Sequence, residues 1–184
     1  DYDARRAAIA EFNAANQYVK RGIALTPVKF GISFNTTFLN QAGSLVHVYN
    51  DGTVHLNHGG TEMGQGLYTK VAQIVAHEFQ IDAALVKITA TTTGKVPNTS
   101  ATAASSGTDL NGMADMRAAR TIKDRIAAFL ADEYQTVQAN VVFANGQVHV
   151  GADAMTFAEA VKRAYLGRVS LSATGFYATP KLSW

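Results

Sequence analysis

The chain has 184 residues, no cysteine, and 16 basic against 14 acidic residues for a formal net charge of +2. That length accommodates one ordinary core, while the lack of cysteine excludes disulfides, thiolate nucleophiles and cysteine-bound iron–sulfur clusters from this chain. The scattered basic residues give no footing for nucleic acid, and no apolar run approaches the ~18 residues of a membrane span, so a cytoplasmic protein with neither a membrane nor a nucleic-acid partner is expected.

In chain order, residues 3–16 are predicted to form a helix with Asp3 as N-cap and Ala8, Phe12 and Ala15 on one face. Residues 23–34 read as extended, with Pro27 at an edge or bend. Residues 44–49 and 53–56 read as a hairpin across Asn50-Asp51-Gly52, a three-residue loop with Gly52 left-handed. This register places Val46, Val48, Val54 and Leu56 on one face and His47, Tyr49 and His55 on the other. The two histidines lack a visible third metal ligand and read as a half-exposed pair. A helix over residues 65–79 carries Leu67, Val71, Ile74, Val75 and Phe79 on its apolar stripe, and its His77-Glu78 pair lacks the second histidine of a zinc-protease helix. A turn at Asp82 leads to a strand over residues 85–93.

A long helix over residues 105–134 follows, with Leu110, Met113, Ala114, Ala118, Ile122, Ile126, Phe129 and Leu130 at helical spacing. Residues 141–144 and 147–150 pair across Asn145-Gly146, a type I′ signal. Thr156 to Glu159 has the spacing of a capping box for a short helix to Leu166, with Gly167 as its stop. A last strand covers residues 169–178 before Pro180. Alternating helices and strands with two hairpins imply an α+β layered fold, in which a mixed sheet with β-hairpins packs against amphipathic helices in a single domain over residues 1–184.

Two stretches rich in small residues stand out, 59–66 and 96–108. Each follows a strand-like run and opens a helix. A helix start presents unpaired N–H groups and partial positive charge, and small residues let a ligand approach the backbone. The pair suggests a phosphate-bearing ligand of cofactor size held between them, with ordinary turns and caps as the alternative. Neither stretch has the spacing of GxGxxG or of the P-loop, and no GxSxG elbow occurs. Ser105 and Ser106 have no nearby base and read as caps or phosphate donors, and Glu62 reads as a carboxylate satisfying a helix dipole. No catalytic constellation is complete within the chain.

The runs GGTEMGQG at 59–66 and VPNTSATAASS at 96–106 closely resemble the molybdenum-cofactor domain of the xanthine dehydrogenase family of molybdenum hydroxylases. KRGIALTPVKFGISF at 20–34, FLNQAG at 38–43 and SATGFYATP at 172–180 extend the resemblance through nearly the whole chain, which looks most like part of a bacterial large subunit. The resemblance implies the molybdopterin-binding fold of the xanthine dehydrogenase/aldehyde oxidase type. It also implies a molybdenum held through a pterin dithiolene rather than by protein ligands, and hydroxylation of hypoxanthine or xanthine. Electrons would pass through [2Fe-2S] clusters and FAD to NAD in the full enzyme. By position, Met63, Gly64 and Gln65 match the loop that contacts the pterin and its phosphate. Thr102, Ser105 and Ser106 match the second cofactor loop, and Ala103 and Ala104 the small residues of the substrate pocket. The family's catalytic glutamate, its other glutamine loop and its substrate-binding arginine and phenylalanine match no segment here. The chain is therefore expected to be a fragment, inactive alone, with the remaining segments of the molybdenum subunit, an iron–sulfur/flavin subunit or domains, and a purine as partners. The alternatives are a related hydroxylase acting on an aldehyde or another N-heterocycle, and a non-catalytic interaction module.

Overall fold

The computed structural model describes residues 1–28, 34–96 and 99–180. Parts of two readings, the extended run through residues 29–33 and the Pro97-Asn98 portion of the second small-residue stretch, lie outside the described residues. The chain falls into two compact units, Asp1–Gly31 and Ile32–Trp184.

The first unit is built on helix α1 (Tyr2–Ala15), none of whose residues is buried. Asp1 occupies the N-cap without a side-chain bond, and Asp3 sits in the first turn, where a carboxylate meets the positive end of the helix, rather than at the cap. The chain then folds back on the helix. Arg21 N donates to Asn13 Oδ1 at 2.8 Å, and the Arg21 guanidinium lies 3.7 Å from the centre of the Phe12 ring. Residues 23–28 form no strand.

The second unit holds β1 (Gln41–Val48), β2 (Val54–His58), α2 (Leu67–Phe79), β3 (Val86–Ile88), α3 (Gly107–Glu133), β4 (Val141–Ala144), β5 (Gln147–Val150), β6 (Asp153–Thr156), α4 (Phe157–Leu166) and β7 (Ser172–Ala178). The main sheet runs β3-β2-β1-β7, with β3 parallel to β2 and the other pairs antiparallel, so it is mixed. The β1–β2 turn is as expected: Tyr49 N donates to Thr53 O at 2.8 Å, and Gly52 has φ +86°. Val46, Val48, Val54 and Leu56 pack under α2 and α3, while the His47 and His55 rings stack on the other face with centroids 6.0 Å apart. The second sheet is the meander β4-β5-β6, whose Asn145-Gly146 turn has both φ values positive. Phe157 at the start of α4 meets Phe79 and Phe143, joining the meander to the main core.

Several predicted boundaries move for physical reasons. The 85–93 strand shortens to Val86–Ile88: its ladder ends opposite Leu56, two residues before β2 does, and beyond it the Thr89 hydroxyl donates to Asn57 Oδ1 and the Thr91 hydroxyl to His58 O and Gly60 O. The last strand starts at Ser172 because Val169 closes α4 instead, its N–H bonding Ala164 O at 2.9 Å. In that cap Arg168 adopts the left-handed conformation (φ 62°) while Gly167 is ordinary (φ −75°). Gly167 is needed for space, since a Cβ there would strike the Phe129 ring. Strand β6 has no counterpart among the predicted elements. The capping box at Thr156 and Glu159 is present with both of its bonds.

Helix α3 lies across the sheet on small residues. Ala114, Ala118 and Ala119 are fully buried, and a Cβ on Gly175 of β7 would run into the Ala114 carbonyl. This close approach carries a buried polar layer with it. Asp115 is 0% exposed, and neither of its carboxyl oxygens has a partner within hydrogen-bond geometry. Burial drives its carboxyl well above the ordinary 3.8, and the neighbouring Ser44 hydroxyl offsets this only in part. Glu78 of α2 binds Arg120 at 3.1 Å and Lys123 at 3.3 Å on α3, which makes it a helix-to-helix tie.

Two outcomes are expected. Gly175→Ala forces β7 off α3 and lowers stability by about 1–3 kcal/mol, read from the urea midpoint. For Asp115, the raised folded pKa makes its contribution fully present below pH 3.8 and progressively lost as pH rises above it. Asp115→Asn removes that slope, so the melting curves of variant and parent measured from pH 4 to 8 diverge as the pH rises.

Candidate functional site

The first loop connects β2 to α2, and its glycines do two different jobs. Gly59 and Gly60 have no room for a Cβ: Thr99 of the second loop fills the space beside Gly59, and Leu67 and Asn111 the space beside Gly60. Gly64 (φ 96°) and Gly66 (φ 74°) have open space and are required by backbone sign. Between them, Glu62 accepts hydrogen bonds from the N–H groups of Gly64 (2.9 Å), Gly66 (3.0 Å) and Tyr68 (3.0 Å). The Tyr68 bond does most to hold its carboxyl below the ordinary 4.5, and the other amides add to it. Gln65 folds back on the same loop, its Oε1 accepting from Met63 N at 2.6 Å and its Nε2 donating to Thr61 O at 2.9 Å. The opening of α2 is thus filled by the chain's own carboxylate. This is the role read for Glu62 from the sequence, and of the two helix starts expected to attract an anion, that of α2 is already occupied by it.

The remaining opening belongs to α3. Ala104 (φ 52°) and Ser105 (φ 57°) are consecutive left-handed residues without being glycine, a conformation that costs roughly 1–2 kcal/mol each. Ser106 is the buried N-cap, but its hydroxyl donates to Ala103 O at 2.9 Å and makes no bond to the α3 amides. The first turn of this 27-residue helix therefore has no side-chain cap. One bond ties the loops together directly: Thr61 N donates to Thr102 Oγ1 at 2.8 Å.

Between the loops lies a cleft of about 350 Å³. Of the residues nominated from sequence, Met63, Gln65, Thr102, Ala103 and Ser105 line it. Gly64, Ala104 and Ser106 stand in the same two loops but off the lining. Leu67, Lys70, Gly107 and Thr108 complete the wall. Lys70 was not nominated, although a sign of it was present: a cation one turn into a helix opposes the helix dipole and wants another reason to be there. No carboxylate among the described residues lines the cleft. Its donors are one lysine, three hydroxyls and the uncapped start of α3, a set suited to a phosphate ester.

Behind the cleft, His58 is 2% exposed, and its Nδ1 accepts from Gly60 N at 3.0 Å. Burial lowers its pKa to about 4, so the ring is neutral, and the bond accepted at Nδ1 assigns the proton to Nε2, which is buried with no hydrogen-bond partner among the described residues.

A family model described as the molybdopterin cofactor-binding domain matches residues 1–184. The chain belongs to this family. It is 45% identical over all 184 residues to a xanthine dehydrogenase of Blastobotrys adeninivorans, and 45% identical over 183 residues to a xanthine dehydrogenase/oxidase of Mus musculus. The chain spans only 12% of the length of each of these relatives. Among solved structures, the quinoline 2-oxidoreductase of Pseudomonas putida 86 superposes with a TM-score of 0.71 at 27% identity, covering 77% of this chain and 19% of that one. A reconstituted CO dehydrogenase from Oligotropha carboxidovorans gives 0.70 at 24% identity over 77% of this chain and 19% of its own, a likeness of fold. The expected fold, a mixed sheet packed against helices in the manner of a molybdopterin-binding domain, is the one found.

The loop that shapes the cleft depends on one half-buried carboxylate. Glu62→Ala is expected to leave the core intact while speeding amide hydrogen exchange at Gly64, Gly66 and Tyr68, with Leu130 in the core unchanged. Equal exchange at all four would mean that Glu62 does not hold the loop.

Proposed function

We propose that this chain is a cofactor-binding part of a xanthine dehydrogenase-type enzyme, and that the cleft between its two loops takes the phosphate-bearing end of a molybdopterin. The observation that carries this reading is the uncapped start of α3, which faces Lys70 across a cleft without a carboxylate. The bound molybdenum–pterin group supplies the hydroxylation chemistry and the first acceptance of electrons. The chain's own residues bind and orient it. Lys70 and the hydroxyls of Thr102, Ser105 and Thr108 hold the phosphate. Gln65 stiffens the first loop through Met63 and Thr61, and its remaining N–H is free for the pterin. Met63, Leu67 and Ala103 form the apolar part of the wall and keep water from the bound group. Gly64, Ala104 and Ser106 set the backbone of the two loops, and Ala103 and Ala104 keep the approach to the metal clear of bulky side chains.

On this reading the parent enzyme hydroxylates hypoxanthine or xanthine in purine metabolism in the cytoplasm. Its electrons leave through [2Fe-2S] clusters and FAD to NAD, in the iron–sulfur/flavin domains or subunit. The catalytic glutamate belongs to another segment, so the 184-residue piece alone is inactive. Identity of 45% over the whole chain with enzymes named for xanthine supports the purine over a second reading, another N-heterocycle, which the likeness to a quinoline oxidoreductase favours.

Ser105 separates charge from shape, because asparagine and aspartate both tolerate its left-handed backbone. In the parent polypeptide, Ser105→Asp is expected to lower molybdenum and pterin content roughly tenfold or more by repelling the phosphate, and Ser105→Asn to stay near the parent level. Equal content in the two variants removes the phosphate from this end of the cleft.

A further inference from the structure

The structure assigns His58 a positioning role: through its Nδ1 acceptor it sets the place of Gly60, and thereby the width of the cleft, without touching the ligand. This rests on the reading that the cleft holds the phosphate-bearing end of the cofactor.

His58 ends β2, and the glycine loop leaves directly from it. Its Nδ1 accepts from Gly60 N at 3.0 Å. The Gly60 carbonyl in turn faces the Thr91 hydroxyl at 3.1 Å, and that hydroxyl lies 3.3 Å from Tyr68 OH. The Tyr68 ring meets the His58 ring edge-on with centroids 5.3 Å apart. The four residues thus close a cycle that clamps the entry of the loop at Gly60 to its exit at Tyr68 in the first turn of α2. Asn111 of α3 packs against the open side of Gly60, so a shift of this residue has no free direction. The next residue, Thr61, makes the bond to Thr102 that joins the two loops. A displaced Gly60 therefore carries Thr61 away from Thr102, and the cleft opens at the side where Ser105 and α3 stand.

The acceptor must be unprotonated to perform this, and the buried ring is neutral throughout the physiological range. No other ring nitrogen or carboxylate among the described residues bonds Gly60 N.

The test is made in the full-length parent polypeptide, matured in a host that makes the cofactor, with molybdenum and pterin per subunit and the rate of pterin loss as readouts. In His58→Asn the side-chain oxygen replaces Nδ1 as acceptor, so content and loss rate stay near those of the parent. In His58→Leu the size is kept and the acceptor removed, and content falls by roughly tenfold with faster pterin loss. Parent-like behaviour of His58→Leu overturns the assignment, as does loss in both variants, which would make the whole imidazole rather than its acceptor the requirement. Where His58→Leu yields no folded protein, Thr91→Val decides. It frees the Gly60 carbonyl from the opposite side and is expected to speed pterin loss several-fold, and an unchanged rate overturns the clamp. Ser105→Asp measured beside them keeps the two ideas apart. If it strips the cofactor while His58→Leu does not, only the clamp fails; if it too leaves content unchanged, the cleft itself is wrong.

Discussion

Three backbone amides converge on the Glu62 carboxylate, and the character of the site follows from that convergence. The positive end of a helix is satisfied by whichever anion lies closest, and a carboxylate five residues before the first residue of α2 is always present. With α2 closed in this way, its loop becomes a fixed shape rather than a receptor. At α3, by contrast, the N-cap hydroxyl is turned away to Ala103 and makes no side-chain cap bond. One helix start is filled, the other is left open, and a lysine on the filled helix faces the open one.

The rest of the unit serves to hold α3 in place. Its buried side is alanine, leucine and isoleucine except for Asn111, Gly112 and Asp115, and at Gly175 the strand backbone touches the helix carbonyl. Close packing of this kind leaves no slack for a displaced helix. The cost is visible in the same layer, where Asp115 and Ser44 are buried without hydrogen-bond partners. The loops inherit this rigidity through Thr61–Thr102, Gly59–Thr99 and Gly60–Asn111, each a contact between segments distant in sequence. Strain at Ala104 and Ser105 persists because both ends of that turn are held, at Thr102 by the first loop and at Ser106 by the start of α3.

Much of the fold was legible in the chain itself. The β1–β2 register followed from alternating burial with one glycine at the turn, and the Asn145-Gly146 hairpin and the Thr156–Glu159 box from chemistry local to four residues. The apolar stripe of α2 was named nearly to the residue, with Ala76 the main addition, whereas α3 also buries Ala119, Ala127 and Ala131 and leaves Met113 and Phe129 half-buried. What was missed depended on neighbours. The strand at β3 stopped at Ile88, where side-chain bonds from Thr89 and Thr91 to β2 and its loop replace the ladder, Arg168 took the left-handed position while Gly167 made room for Phe129, and β6 formed only because β5 was there to pair with it.

The same division runs through the site. By itself the sequence determined that two small-residue loops open two helices, because glycine spacing, caps and periodicity act over a few residues; the molybdopterin cofactor-binding family entered through the resemblance of the two motifs. Only the tertiary structure decided that Lys70 faces the start of α3 and that Thr91 ties Gly60 to Tyr68. Those outcomes depend on which side chain reaches a given amide first, and that is a matter of distance in space between segments tens of residues apart along the chain.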